Sequence, residues 1–81
     1  MTPGALVRLA ESKFLPGDPL EWAMASEPPG DGSYPIDGGS LHVGHVGVVV
    51  ASCVHRNELY VQLLTPTGLG WIFADYLEVL P

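Results

Sequence analysis

One run of β-branched residues in the middle of the chain limits its fold more than any other feature. Residues 46–54 read Val-Gly-Val-Val-Val-Ala-Ser-Cys-Val. Side chains branched at Cβ fit a pleated, half-buried surface, so this run predicts a strand packed on at least one face. The polar break at residues 55–58 separates it from a second apolar run at residues 59–64. The two runs predict an antiparallel hairpin closed by a loop of about four residues.

Shorter segments at both ends of the chain predict three further strands. Near the start, alternation places Leu6 and Arg8 on one face and Val7 and Leu9 on the other, which is the period of a half-buried strand. The Thr-Pro-Thr-Gly sequence at residues 65–68 is typical of a type I turn. It leads to a predicted strand at 70–73, one helical turn at 74–76 and a last strand at 77–80. We therefore expect an all-β chain of five short strands.

Residues 10–40 have the composition of a long loop. They are rich in Pro and Gly and contain six of the nine acidic residues, with Lys13 as the only base. This acidic segment is either a solvated face or a docking surface for a basic partner. Inside it, Leu20 and Met24 are four residues apart, so residues 19–25 predict one helical turn. We expect Trp22 to hold the loop against the rest of the domain.

The closing segment carries the most specific resemblance. Residues 70–80, Gly-Trp-Ile-Phe-Ala-Asp-Tyr-Leu-Glu-Val-Leu, resemble the end of Src-homology-3-like barrels: an aromatic-aliphatic strand, a helical turn ending in Tyr and a last strand. The resemblance implies one small five-stranded barrel domain over residues 1–81, with a long first loop. Peptide-binding members carry Pro where Phe73 stands and paired tyrosines near Val7 and Leu9. Since only Tyr76, with Trp71, matches their aromatic groove, the resemblance implies the fold and not the polyproline ligand.

Short motifs also resemble those of small barrel proteins from tailed bacteriophages. They are Pro-Gly-Ala-Leu-Val at residues 3–7, Gly-Val-Val-Val at 47–50 and Gly-Trp-Ile at 70–72. This resemblance implies a structural or accessory protein of a virion, bound to capsid or tail subunits in multiple copies. The alternative is a free adaptor domain that binds a peptide or a basic partner protein. The expected location is the virion in the first case and the cytoplasm in the second.

The charge balance excludes two classes of partner. Three Lys and Arg residues stand against nine Asp and Glu residues, which gives a formal net charge of −6. A chain of this charge repels phosphate backbones and anionic lipid surfaces. We therefore expect a protein partner, and neither a nucleic acid nor a membrane.

The sequence contains no recognisable catalytic arrangement. The carboxylates cluster in the loop without a placed His or Ser partner, and the Gly-rich residues 65–70 lack the Lys of a phosphate-binding loop. His42 and His45 are three residues apart, which places them on opposite faces of a strand unless Gly44 bends the chain. Cys53 is typical of a buried or half-buried strand residue. We expect no catalytic residue, no cofactor and no metal site.

Aromatic residues are the remaining candidates for a binding surface. Trp and Tyr are enriched at interface hot spots. The alternative is that these rings fill the core of a small domain. The candidate protein-binding residues are Phe14, Trp22 and Tyr34 in the loop, and Trp71 and Tyr76 at the closing turn.

Overall fold

A computed structural model describes residues 1–18, 20–30 and 36–81. The described part is mostly β, as predicted, and it has two 3-10 turns and no α-helix. The strands are β1 (Leu6–Leu9), β2 (Glu21–Ala23), β3 (Ser40–His42), β4 (Gly47–His55), β5 (Glu58–Thr65), β6 (Gly68–Phe73) and β7 (Leu77–Val79), and the 3-10 turns are Glu11–Lys13 and Ala74–Tyr76. The turn at Ala74–Tyr76 between two strands confirms the prediction for the closing segment. The predicted count of five strands is wrong, because β2 lies inside the supposed loop and β3 begins at its last residue.

Five strands form one antiparallel sheet, in the order β6-β5-β4-β1-β7. The first and last strands are neighbours, with Val7 opposite Val79 and Leu9 opposite Leu77. The long β4–β5 hairpin carries a register shift between Val49 and Ala51. An extra residue of this kind bends a strand and increases its twist. The remaining strands, β2 and β3, form a separate antiparallel pair.

The β4–β5 connection is tighter than the sequence predicted. His55 pairs with Glu58, so the turn consists of Arg56 and Asn57 alone. Both residues have positive φ, at 51° and 66°. Two-residue turns with positive φ at both positions match the right-handed twist of the strands they join. The predicted hairpin is confirmed. Its predicted four-residue loop is wrong, because His55 and Glu58 also pair and leave only two residues in the turn.

The core is built from the inward-facing residues of the large sheet together with Met24 of the long loop and Leu41 of β3. The predicted alternation of β1 is confirmed, since Val7 is fully buried and Leu6 is 46% exposed. The largest fully buried side chains are Leu9, Met24, Leu41, Leu63, Val7, Val49 and Val61. Met24 belongs to residues 10–40 and Leu41 follows directly after them, so the β2–β3 hairpin completes the core.

The predicted helical turn at residues 19–25 is wrong, and residues 21–23 form β2 instead. Trp22 pairs with Leu41 of β3. Burial alternates along this segment, because Trp22 is half-buried and Met24 fully buried, while Glu21 before them and Ala23 between them are exposed. Alternation is the strand period, and pairing with β3 satisfies backbone groups that an isolated helical turn would leave open.

Backbone hydrogen bonds join the β2–β3 hairpin to the edge of the large sheet. The amide of Ala25 donates to the carbonyl of Trp71 at 3.0 Å, and the amide of Trp71 donates back at 2.8 Å. The amide of Gly38 also donates to the carbonyl of Met24 at 3.0 Å. A Cβ atom on Gly70 would lie less than 3.0 Å from the Gly38 carbonyl oxygen, so only glycine fits this crossing. The β2–β3 hairpin, called the loop hairpin below, is therefore held firmly beside β6.

Candidate functional site

Five aromatic rings form a continuous cluster. The ring centroids of Trp22 and Tyr76 are 4.8 Å apart, and Phe14 lies 5.7 Å from Trp22 and 6.2 Å from Tyr76. Phe73 lies 5.5 Å from Tyr76 on one side and 5.5 Å from Tyr60 on the other. Centroid separations of 4.5–7 Å are those of favourable aromatic pairs. Every ring of this aromatic cluster is half-buried, so each one packs and still presents a surface.

The two 3-10 turns bring distant parts of the chain into the cluster. Phe14 follows the first turn, and its amide donates to the Glu11 carbonyl at 3.1 Å. Tyr76 closes the second turn, and its carbonyl accepts from the amide of Ala10 at 2.8 Å. The backbone hydrogen bond between Ala10 and Tyr76 thus places the two turns side by side. Phe14 and Tyr76 meet for this reason.

One exposed ion pair links the same two turns. Lys13 Nζ lies 3.5 Å from Asp75 Oδ2, and both side chains are about half-exposed or more. Exposed ion pairs contribute little to stability because water and salt screen them. The packing of the rings and the backbone bond therefore do more than this pair to fix the cluster.

An open groove runs along the aromatic cluster and under the loop hairpin. Its volume is about 260 Å³, below the roughly 300–1,000 Å³ of pockets that enclose a drug-sized ligand. The size and openness suit one or two side chains of a partner chain better than a cofactor. Glu27 is its one charged lining residue among those described. The lining residues are Trp22, Ala23, Ala25, Glu27, Pro29, Ile36, Tyr60, Trp71, Ile72, Phe73 and Tyr76.

The structure brings four of the five predicted binding residues to this one place. Phe14, Trp22 and Tyr76 contact one another, and Trp71 lines the groove beside them. Tyr34 lies outside the described residues. The rings gather at one site because the β2–β3 hairpin folds back over the closing turn.

Two members of the cluster, Tyr60 and Phe73, were missed by the sequence analysis. They lie directly opposite each other on β5 and β6. The signal was present, because a turn at residues 65–68 fixes a register in which residue 60 faces residue 73. Opposed residues of an antiparallel pair point to the same face. A prediction that extended the register from this turn would have placed both rings together.

The predicted placement of His42 and His45 on opposite faces is wrong. Gly44 has a φ of 89°, and the amide of His45 donates to the carbonyl of His42 at 3.0 Å, which closes a turn. The two rings therefore lie 5.2 Å apart. Within residues 1–18, 20–30 and 36–81, no group of three or more His, Cys, Asp or Glu residues is placed to hold a metal ion. Zinc sites use roughly three or four protein ligands, and this pair supplies two.

Cys53 is half-buried on β4, as predicted. Across the described ranges, no helix is long and apolar enough to cross a membrane.

The comparisons with known proteins were negative. No family model, no curated protein and no solved structure matches the chain.

Proposed function

We propose that this chain is a non-enzymatic protein-binding module and that its aromatic groove holds a segment of a partner protein. The observation that carries the proposal is the gathering of five half-buried rings in one cluster, four of which line one open groove. The few residues that carry most of the binding energy at protein interfaces are enriched in Trp and Tyr. The groove is mostly apolar with a single charged lining residue among those described, which is the usual composition of a recognition site.

The make-up of the core favours an interface role for the rings over a core-filling role. Among the described residues, the buried hydrophobic residues include no aromatic side chain. They are Val7, Leu9, Ala10, Met24, Leu41, Val49, Val61, Leu63, Ile72, Ala74 and Leu77. Phe14, Trp22 and Tyr76 pack against this aliphatic core from outside it, and their exposed parts are available to a partner.

The charge of the chain favours a basic partner segment. The net charge is −6, and Glu27 lines the groove. Further exposed carboxylates follow along the loop, at Glu11, Asp18, Glu21 and Asp37. A complementary positive segment would be attracted from a distance, which raises the association rate more than the final affinity. The partner segment we propose therefore combines apolar side chains with Lys or Arg.

The proposal includes a Src-homology-3-like barrel as the finer description of the fold. The strand order β6-β5-β4-β1-β7 and the 3-10 turn before the last strand support it. A hairpin within the long first loop, bonded to β6 through Ala25 and Trp71, supports it further. The aromatic cluster lies where this loop meets the closing turn.

Two settings for such a module follow from the sequence motifs. One is a part of a phage-type virion that binds capsid or tail subunits, and the other is a free adaptor. Both use the same groove, and they differ in copy number. Mass spectrometry of purified virions would detect the chain in the first setting, whereas the second predicts a soluble complex with one partner.

Selection from a random peptide library tests the groove directly. We expect enriched peptides to combine Lys or Arg with apolar residues. Added to the ¹⁵N-labelled protein, such a peptide should shift the indole N–H signals of Trp22 and Trp71, since both line the groove. Failure to enrich any peptide, or shifts confined to residues far from the groove such as Val54, would contradict the proposal.

A further inference from the structure

The turn that follows β3 brings two histidines together on the surface. His42 is the last residue of β3 and His45 ends the turn, and both side chains are exposed. The turn is closed by the His45 amide, which donates to the carbonyl of His42 at 3.0 Å. The amide of Val43 donates to the carbonyl of Leu20 at 2.7 Å, which ties the turn to the residue before β2. The sequence-based ground for expecting no metal site here, two rings on opposite faces, is therefore removed.

A hydrogen bond selects the form of the His42 ring that binds metals. Its Nδ1 lies 2.9 Å from the carbonyl oxygen of Val43. A carbonyl oxygen only accepts, so Nδ1 carries the proton and the lone pair of the ring stays on Nε2. Histidines that bind metals usually donate their other ring N–H to a carbonyl or a carboxylate, which fixes the tautomer and the orientation of the ring. His42 has this arrangement already, and its side chain is exposed to ions in solution.

The spacing of the two rings fits one class of ion. Zinc binds an imidazole nitrogen at about 2.0–2.1 Å, so the ion lies about 3.2 Å from the centre of each ring. Two rings on a tetrahedral ion are then about 5.2 Å apart, centre to centre, whereas adjacent rings on a square-planar ion are about 4.5 Å apart. The ring centroids of His42 and His45 are 5.2 Å apart. The spacing therefore favours zinc, which is tetrahedral, over copper or nickel in square-planar geometry.

The charge beside the pair favours a cation. Glu21 of β2 lies directly opposite His42, and opposed residues of an antiparallel pair share a face. The hydroxyl of Ser40 donates to Oε1 of Glu21 and holds this carboxylate in place. Glu21 is not positioned as a third ligand, since no group of three such residues within the described ranges can hold an ion. Its negative charge, on a chain whose net charge is −6, still attracts a divalent cation to the pair.

We propose that His42 and His45 form a two-ligand zinc site on the surface of this chain. This inference is independent of the groove. Two imidazoles fill two of the four tetrahedral positions, and water fills the other two in the isolated chain. Half the ligands of a structural zinc site give much weaker binding, with a dissociation constant of the order of 0.1 mM. The two open positions can accept a donor side chain of another protein, such as His, Cys or Asp.

Titration of the ¹⁵N-labelled chain with zinc chloride, in a buffer that does not bind zinc, tests the proposal. The imidazole signals of His42 and His45 should shift together and saturate. Magnesium chloride at the same concentrations should leave both signals unchanged, because magnesium prefers oxygen ligands. His45→Asn should raise the dissociation constant for zinc at least tenfold, since a single imidazole remains.

The matched control is His55→Asn, which removes the third histidine of the chain, at the far end of β4, and should bind zinc as the wild-type chain does. Circular dichroism must show both variants folded; should His45→Asn unfold, His42→Gln replaces it. A wild-type chain in which neither ring shifts, or only one does, up to about 2 mM zinc would overturn the proposal. Equal zinc affinity of the wild-type chain and His45→Asn would overturn it as well, because the ion would then be bound elsewhere.

Discussion

At the scale of single residues, Gly70 is where the loop hairpin crosses the sheet most closely. A Cβ atom there would lie less than 3.0 Å from the Gly38 carbonyl oxygen and from the Met24 Cβ. We expect Gly70→Ala to lower the free energy of unfolding by about 1–3 kcal/mol, the usual cost of overpacking. Urea unfolding followed by Trp fluorescence measures this. Gly30→Ala is the control, because a Cβ at Gly30 meets nothing within 4 Å; equal stability of the two variants would contradict the close crossing.

Some site residues could be predicted singly, but their arrangement could not. Phe14, Trp22 and Tyr76 stood out because large rings in a loop or at a closing turn are typical of interfaces. Their contacts depend on the backbone hydrogen bond from the Ala10 amide to the Tyr76 carbonyl, which joins residues far apart in the chain. No local pattern specifies a bond of this kind. The pair of Tyr60 and Phe73 was accessible, because a predicted turn also fixes a register.

At the scale of elements, long strands were predictable and short ones were not. The β4–β5 hairpin and the last 3-10 turn follow from runs of β-branched residues and from a local motif. By contrast, β2 and β3 are three residues each, too short to establish a period among Pro and Gly. Tertiary contacts sustain them, since Met24 and Leu41 enter the core. The helical turn was predicted there because a spacing of four residues was given more weight than alternation.

The two-residue turn of the β4–β5 hairpin yields a prediction at the same scale. Asn57 has a φ of 66°, a left-handed conformation that a β-branched residue adopts only at a cost. Asn57→Val should lower the free energy of unfolding by about 1–2 kcal/mol. Asn57→Gly should leave it unchanged or raise it, because glycine favours this conformation. Thermal melting of the two variants measures the contrast, and a Val variant as stable as the Gly variant would contradict the turn geometry.

At the scale of the whole molecule, the loop hairpin and the closing turn build the groove together. Among the rings that line it, Trp22 comes from residues 10–40, while Phe73 and Tyr76 come from the closing segment. The loop also supplies Met24 to the core, so it is both a part of the fold and a wall of the binding site. Because of this dual role, changing the rings of the loop can lower either stability or binding, and the two effects must be measured separately.

The central claim is that these rings bind a partner, and one double variant tests it most directly. Replacing Phe14 and Trp22 with Ala removes the loop side of the aromatic cluster. We expect the variant to remain folded and its affinity for the selected peptide to weaken by about 1–4 kcal/mol, the range of interface hot spots. Leu15→Ala, a change at a 75% exposed loop residue outside the groove, is the control and should bind as the wild-type chain does.

Thermal melting and peptide titration, carried out on the same variant, give the deciding comparison. A folded variant with weakened binding is the result that the groove predicts. A variant that unfolds before its binding can be measured would show that Phe14 and Trp22 are core residues and that the loop is only scaffold. A variant with unchanged melting and unchanged affinity would contradict the claim outright and would move binding away from the groove.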